Sequence, residues 1–355
     1  MRTLRNFTFL TLLILSSCCR QDYQQTNAVD DAPIRGIYVG ASNDILSMIN
    51  IAKELSANAM VIDVKDEFGQ ITCDLGFEQD NFRIRDIKQV IKTLKQNGIY
   101  PIARIVAFRD PLRAISMPKM AVKDKSGRII TDKEGMIWLN PYKKENWQYL
   151  ADIAKAAVHA GFLEIQFDYV RFSAYKNDDA DYGKSPETIS RTEIVCQFFD
   201  FTMKELKPLG VKVSADVFGC VIPETLGQDT IISKERLGQD YARLCEKLDV
   251  ICPMIYPSHW PKDSMGIEYP DLEPYKTVYS ALEKAVKLKK SKAVTRPWLQ
   301  AFTAKWLKKA HQEYCIDQIN QQKQAAYNAG VTEWCLWNPR ADYKAAIQSK
   351  KSRQK

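Results

Sequence analysis

The stretch Glu164-Ile-Gln-Phe-Asp-Tyr-Val-Arg171 decides how this chain is read. Apolar residues alternate with polar ones in it, over a length that suits a buried strand. An amphipathic segment, Lys144 to His159, precedes it and is stopped at Gly161. A polar loop, Lys176 to Ser185, follows, and then a second helical segment from about Pro186 to Leu206. The stretch is therefore one strand of a repeating strand–helix rhythm.

Working outward, the same rhythm covers the chain. Strand 1 is Arg35 to Gly40, and its helix runs from Asp44, an N-cap residue, to about Ser56. Strand 2 is Ala59 to Lys65, followed by a helix from Ile84 to Gln96. Strand 3 is Tyr100 to Phe108, with a long loop through Gly127 and Gly135 that has room for a small hairpin. Strand 5 is Val211 to Phe218, with a helix near Gln239 to Lys247. Strand 6 is Val250 to Tyr256, with a helix from about Tyr275 to Lys287. Strand 7 is Ala293 to Phe302, with a helix from Ile316 to Asn328. Strand 8 is Thr332 to Trp337, and a short helix is expected after Asp342. Crossover helices imply parallel strands, and eight such units close a barrel. The expected fold class is α/β, a single (β/α)8 TIM barrel over residues 34–348. A doubly wound sheet is disfavoured because no Gly-x-Gly-x-x-Gly follows strand 1.

Composition agrees with that reading. The 355 residues are 45% hydrophobic and 26% charged, which excludes collagen, long disorder and a multispanning membrane protein. The net charge of +8 is spread along the helices without an aromatic-interleaved basic stripe, so no nucleic-acid partner is expected. The basic tail, residues 349–355, reads as solvated.

The N-terminus reads as a targeting segment. Arg2 and Arg5 precede an apolar run from Phe7 to Leu15, which is too short to span a bilayer. Leu15-Ser16-Ser17-Cys18 then resembles a bacterial lipoprotein signal. That resemblance implies cleavage after residue 17 and lipidation of Cys18. The protein is then exported and held to the membrane of the cell envelope by its lipid. Residues 18–33 are polar and read as a tether. Beyond Cys18 and Cys19, seven cysteines remain: Cys73, Cys196, Cys220, Cys245, Cys252, Cys315 and Cys335. Most lie in apolar runs and are expected as buried thiols, with room for at most one disulfide. None has metal-ligand spacing, so neither a metal nor another cofactor is expected.

In such a barrel, chemistry belongs at the carboxyl ends of the strands. Tyr38 stands near the end of strand 1. Strand 2 offers Asp63 and Lys65, strand 3 offers Arg104, and strand 4 offers Gln166, Asp168, Tyr169 and Arg171. Strand 5 offers Ser214 and Asp216. Strand 6 offers Met254 and Tyr256, then His259 and Trp260 in a Pro-Ser-His-Trp-Pro loop. Strand 7 offers Trp298 and Gln300, and strand 8 offers Glu333, Trp337 and Asn338. Acids inside apolar strands are costly unless paired or placed at a wet mouth. Each of these acids also has a plainer role open to it: Asp168 paired with Arg171 or Arg104, Asp216 capping a buried network, or Asp63 paired with Lys65.

Five motifs carry a family resemblance. They are Phe167-Asp-Tyr-Val-Arg-Phe172, Ser214-Ala-Asp-Val-Phe-Gly219, Pro253-Met-Ile-Tyr-Pro-Ser-His259, Arg296-Pro-Trp-Leu-Gln300 and Trp334-Cys-Leu-Trp-Asn338. Together they resemble a glycoside hydrolase barrel family first catalogued as a domain of unknown function and distantly similar to α-amylase-type enzymes. The resemblance spans about residues 34–345 and implies a retaining glycosidase. Asp168 takes the position of the nucleophile. Asp216 takes that of the general acid, where the α-amylase pattern has Glu, one methylene longer. Asp63 and Glu333 stay open as alternates for the second role. Chitinase barrels share the Met-x-Tyr of strand 6 and the Trp of strand 8. Their strand-4 acid is replaced here by Val170, so substrate-assisted chemistry is not expected.

Glycoside cleavage needs two carboxyls, about 5–5.5 Å apart for retention and roughly 6.5–9.5 Å apart for inversion. Adjacent strands lie about 4.8 Å apart, so strands 4 and 5 can supply a retaining pair. The expected partner is a carbohydrate. Tyr38, Lys65, Arg104, Gln166, Tyr169, Arg171, Tyr256, His259, Trp260, Trp298, Gln300, Trp337 and Asn338 are the candidate binding residues. A rival reading keeps the cleft and drops turnover, giving a carbohydrate-binding lipoprotein. Metal-assisted hydrolysis is disfavoured by the scarcity of histidine.

Overall fold

Each barrel strand is a short apolar run, buried on both faces except at a few ends and at the half-buried Tyr38 and Arg104. The computed structural model describes residues 32–77, 81–173, 180–183, 188–226, 234–288 and 293–348. Cys18, the leader, nearly all of the tether and the basic tail therefore lie outside the described residues, as does most of the loop 176–185. The strands are β1 (Arg35–Val39), β2 (Ala59–Lys65), β3 (Tyr100–Val106), β4 (Glu164–Asp168), β5 (Lys212–Phe218) and β6 (Val250–Met254). β7 comes in two pieces, Val294–Thr295 and Trp298–Gln300, and β8 is Trp334–Trp337. Each pairs in parallel with the next, and β8 returns to β1 through Arg35↔Trp334 and Ile37↔Leu336. The ring closes into a (β/α)8 barrel.

The outer layer holds α1 (Ile45–Glu54), α2 (Ile87–Gln96), α3 (Lys144–Ala160), α4 (Arg191–Leu206), α5 (Tyr241–Cys245), α6 (Pro274–Lys287) and α7 (Ile316–Asn328). Local chemistry sets their ends. Asp44, Asp86 and Ser190 accept the backbone N–H three residues on, capping α1, α2 and α4. Gly161 ends α3 at φ 110°, a conformation that disfavours a side chain. Between barrel and helices, Phe167 of β4 meets Phe198 of α4 edge-on, with ring centres 5.4 Å apart. No helix among the described residues is long and apolar enough to cross a membrane.

Several boundaries differ from expectation, each for a local reason. Strand 4 stops at Asp168 rather than Arg171, because Tyr169 takes φ 54° and turns the chain. Strand 7 breaks at Arg296-Pro297: proline has no N–H to give the ladder, and the Arg296 guanidinium turns into the barrel base. α4 starts at Arg191, behind its Ser190 cap, rather than near Pro186. Residues 344–347 form turns in place of the expected terminal helix. The loop after β3 holds a short helix, Pro111–Ser116, and ladder fragments at Lys123↔Ile129 and Thr131↔Ile137. Cys73, Cys196, Cys252, Cys315 and Cys335 are buried thiols.

Candidate active site

A cavity of about 440 Å³ opens at the carboxyl end of the barrel. Asp168 and Asp216 both line it. The register explains why. Phe167 is opposite Ala215 on the adjacent strand, so Asp168 and Asp216 are the next positions along. Their side chains point inward on the same period of two that sends Phe167 outward.

The two acids have different surroundings. Asp168 is held by charge: its Oδ2 accepts Arg104 Nη2 at 2.7 Å and Nε at 3.1 Å, and its Oδ1 accepts its neighbour's N–H. The same guanidinium donates to Asp63 Oδ1 at 2.5 Å, and Asp63 Oδ2 accepts the Tyr38 hydroxyl. Burial works against the Arg104 charge, but the carboxylates of Asp63 and Asp168 outweigh it and keep it protonated. Asp216 is only 2% exposed and has no guanidinium of its own. Its Oδ1 accepts the Trp298 indole N–H at 2.7 Å, and no described residue donates to its Oδ2. Burial, followed by the nearby Asp168 charge, pushes the Asp216 carboxyl well above the usual carboxylate range. One carboxylate is therefore paired with a cation while its neighbour is driven toward the protonated form. Such a split separates acid and base roles.

Aromatic side chains form much of the wall. Tyr256 and Trp337 stack at 4.9 Å, and His259 meets the Tyr256 ring edge-on at 5.2 Å. Burial lowers the His259 pKa, so the ring favours its neutral form, with Nδ1 3.0 Å from Ser258 Oγ. Trp260 packs on Gly219, where a Cβ would come within 2.8 Å of its ring and 2.6 Å of the Met254 carbonyl. Only glycine leaves room for that indole. Among the described residues, no acceptor meets the buried Trp260 Nε1 beside the cavity.

Tyr38, Arg104, Tyr169, Arg171, Tyr256, His259, Trp260, Trp298 and Trp337 thus meet around the two acids. Other candidates lie elsewhere. Lys65 is fully buried behind the wall, paired with Asp110 at 2.9 Å and donating to the Val106 carbonyl. A register shift between Asp63 and Lys65 turns it away from the inward row. Gln166 sits one layer down, donating to Cys252 Sγ. Gln300 is sealed among Ser258 N, Asp271 and the Phe302 carbonyl. Asn338 ties down the turn after β8 through Ala301 O and Asp342 O. Glu333 precedes β8 and is bonded to Arg296, which also reaches Glu164, the first residue of β4. It is therefore at the opposite end of the barrel from Asp168, the last residue of β4. Asp63 touches the site only through Tyr38 and Arg104.

Sequence reasoning missed part of the wall. Arg109, Asp132 and Glu134 come from the loop after β3, Phe218 ends β5, and Cys220 and Leu226 come from the segment after it. Arg109 lies three residues past the end of β3, and that position just beyond a strand's carboxyl end was its available signal.

Solved structures share the architecture. The PgaB (BpsB) glycoside hydrolase domain from Bordetella bronchiseptica aligns with TM-score 0.64 at 13% identity, over 90% of this chain and 100% of that one. The endo-beta-1,4-mannanase from Thermotoga petrophila aligns at 0.56 and 11%, over 91% and 73%. The spore cortex-lytic enzyme SleL from Bacillus megaterium aligns at 0.52 and 13%, over 89% and 73%. Identities this low carry the fold and not the activity. No curated protein matches the sequence. Residues 34–343 match the family described as "Putative glycosyl hydrolase domain", and the chain belongs to that family.

Proposed function

We propose that the protein is a retaining glycoside hydrolase, with Asp168 as nucleophile and Asp216 as general acid and base. The observation that carries this is the contrast between two neighbouring carboxyls in one cavity. Asp168 is an ion-paired carboxylate, and Asp216 is buried with its pKa raised. In the first step, Asp168 attacks the anomeric carbon as Asp216 gives its proton to the departing oxygen. In the second, Asp216 takes a proton from water, which displaces the glycosyl group from Asp168. Arg104 orients Asp168 and balances its charge. The stacked Tyr256 and Trp337, with Trp260, offer flat apolar faces to sugar rings.

The leader motif supports a location outside the cytoplasm, with a lipid on Cys18 and an extracytoplasmic polysaccharide or cell-envelope glycan as substrate. The test is a panel of polysaccharides and aryl glycosides, with wild type compared to Asp168→Asn. Hydrolysis by the first and not the second is expected. Binding without product by wild type would instead favour a carbohydrate-binding lipoprotein.

A further inference from the structure

One part of the cavity wall continues outward. Trp337 in the cavity meets Phe302 edge-on, with ring centres 5.3 Å apart. Phe302 in turn stacks on Trp306 at 5.9 Å and 23°. His259 stands against both, 6.1 Å from Phe302 and 6.0 Å from Trp306. An aromatic row thus runs from the cavity onto the loop after β7. A core cluster would bury its last ring. This row ends in an indole that is 60% exposed, whereas the other described tryptophans are buried or half-buried. Lys305, Lys308 and Lys309 flank that indole, all exposed and with no ion pair among the described residues. Glu313 is the nearest acid along the same loop.

One cation of the cavity wall, Arg171, has the same sign. Arg171 lines the cavity, over the rings of Trp138, Tyr169 and Phe218, and among the described residues its hydrogen bond goes to the neighbouring Phe172 carbonyl. Two described acids of the cavity wall, Asp132 and Glu134, are already engaged. Glu134 is paired with Arg109, and Asp132 accepts the Trp138 indole and two backbone N–H groups.

We infer that the Phe302–Trp306 ridge with its three lysines is a distal subsite for an acidic polysaccharide, whose chain continues from the cavity over the loop after β7. This deepens the glycosidase reading and takes the cavity as the cleavage site from it. The indole supplies a flat apolar face to a sugar ring, and the lysines attract uronate carboxylates. An anionic lipid surface would also attract tryptophan and lysine. The glycan is favoured because the exposed ring continues a row that begins beside the catalytic pair.

The test is native affinity electrophoresis of the full chain in gels containing polygalacturonate, alginate or neutral galactomannan. Binding is read without turnover, so a failed hydrolysis assay leaves this measurement intact. Wild type should be retarded by the acidic polymers more than by galactomannan. Trp306→Ala should weaken that binding about tenfold, the scale of one aromatic contact. The triple variant Lys305→Gln, Lys308→Gln, Lys309→Gln should lose the preference for acidic chains. An unchanged melting temperature in both would show that the fold is intact, and activity on a short aryl glycoside should be unchanged in Trp306→Ala. Lack of retardation by either acidic polymer, or equal retardation of the variants, overturns the inference. So does a Trp306→Ala defect seen on anionic phospholipid vesicles and not on polysaccharide.

Discussion

Asp216 accepts the indole N–H of Trp298 on Oδ1, and no described residue donates to its Oδ2. The indole steadies the carboxyl in place, and in the proposed mechanism the other oxygen carries the proton to the substrate. Burial and the Asp168 charge raise the Asp216 pKa, while the Trp298 bond lowers it. With Asp216 as the proposed general acid, the acid limb should fail as pH rises through the Asp216 pKa.

It follows that the activity profile should fall on its alkaline side, and that Trp298→Phe should move this fall to higher pH. Asp216→Asn should abolish the limb and lower kcat by about 10²–10⁴ on substrates with poor leaving groups. Activated aryl glycosides should suffer less. Rate–pH profiles of the three proteins check this. The stability sign is the same: a carboxyl whose folded pKa is raised stabilises the fold at low pH, and that contribution is lost as pH rises through the folded value.

Lys65→Met should act on stability and not on substrate binding. It strands the Asp110 carboxylate, which is fully buried. Removing one partner of a buried pair costs about 3–5 kcal/mol. Asp110 also caps the helix Pro111–Ser116. Urea unfolding should show a lower midpoint, with KM little changed in the folded fraction.

How far the sequence reaches is visible in that lysine. Strand 2 and its inward period were readable, because a strand and the helix after it are set by local apolar patterning and caps. The shift that hides Lys65 was not readable, since it arises from pairing with β3. The inward acids Asp168 and Asp216 were legible from alternation alone. Glu333 stands at the start of strand 8, so chain direction already placed it at the amino end of the barrel, away from the site. Gln300 and Asn338 were polar at strand ends, yet each is used up by nearby loops. The loop residues Arg109, Asp132 and Glu134 reach the cavity through folding of a long connection with no period to read.

At the barrel's other end, Lys323 donates to the Leu55 carbonyl and lies over the Trp334 ring. Burial, aided by Arg35, lowers its pKa to about 8. A lysine with a lowered folded pKa takes up its proton more readily when unfolded, so its share of stability grows as pH rises from about 8 toward its unfolded value near 10.4. The gain is bounded by roughly 3 kcal/mol. Chemical denaturation of wild type and Lys323→Met across that range should show the difference, with the variant lacking this rise.

Cys18→Ala should release the protein from the membrane fraction of the cells that make it. Membrane affinity here is assigned to acyl chains, which supply about 0.8 kcal/mol per buried CH₂. Retention of the variant in the membrane fraction would remove the lipid anchor from the account.

The most direct measurement traps the first step. Wild type is incubated with 2-fluoro glycosyl fluorides, digested, and mapped by mass spectrometry. The account predicts a glycosyl adduct on Asp168, formed also in Asp216→Asn because fluoride leaves without an acid, and absent in Asp168→Asn. An adduct on another residue, or turnover of a glycan with inverted product and no adduct, would contradict it.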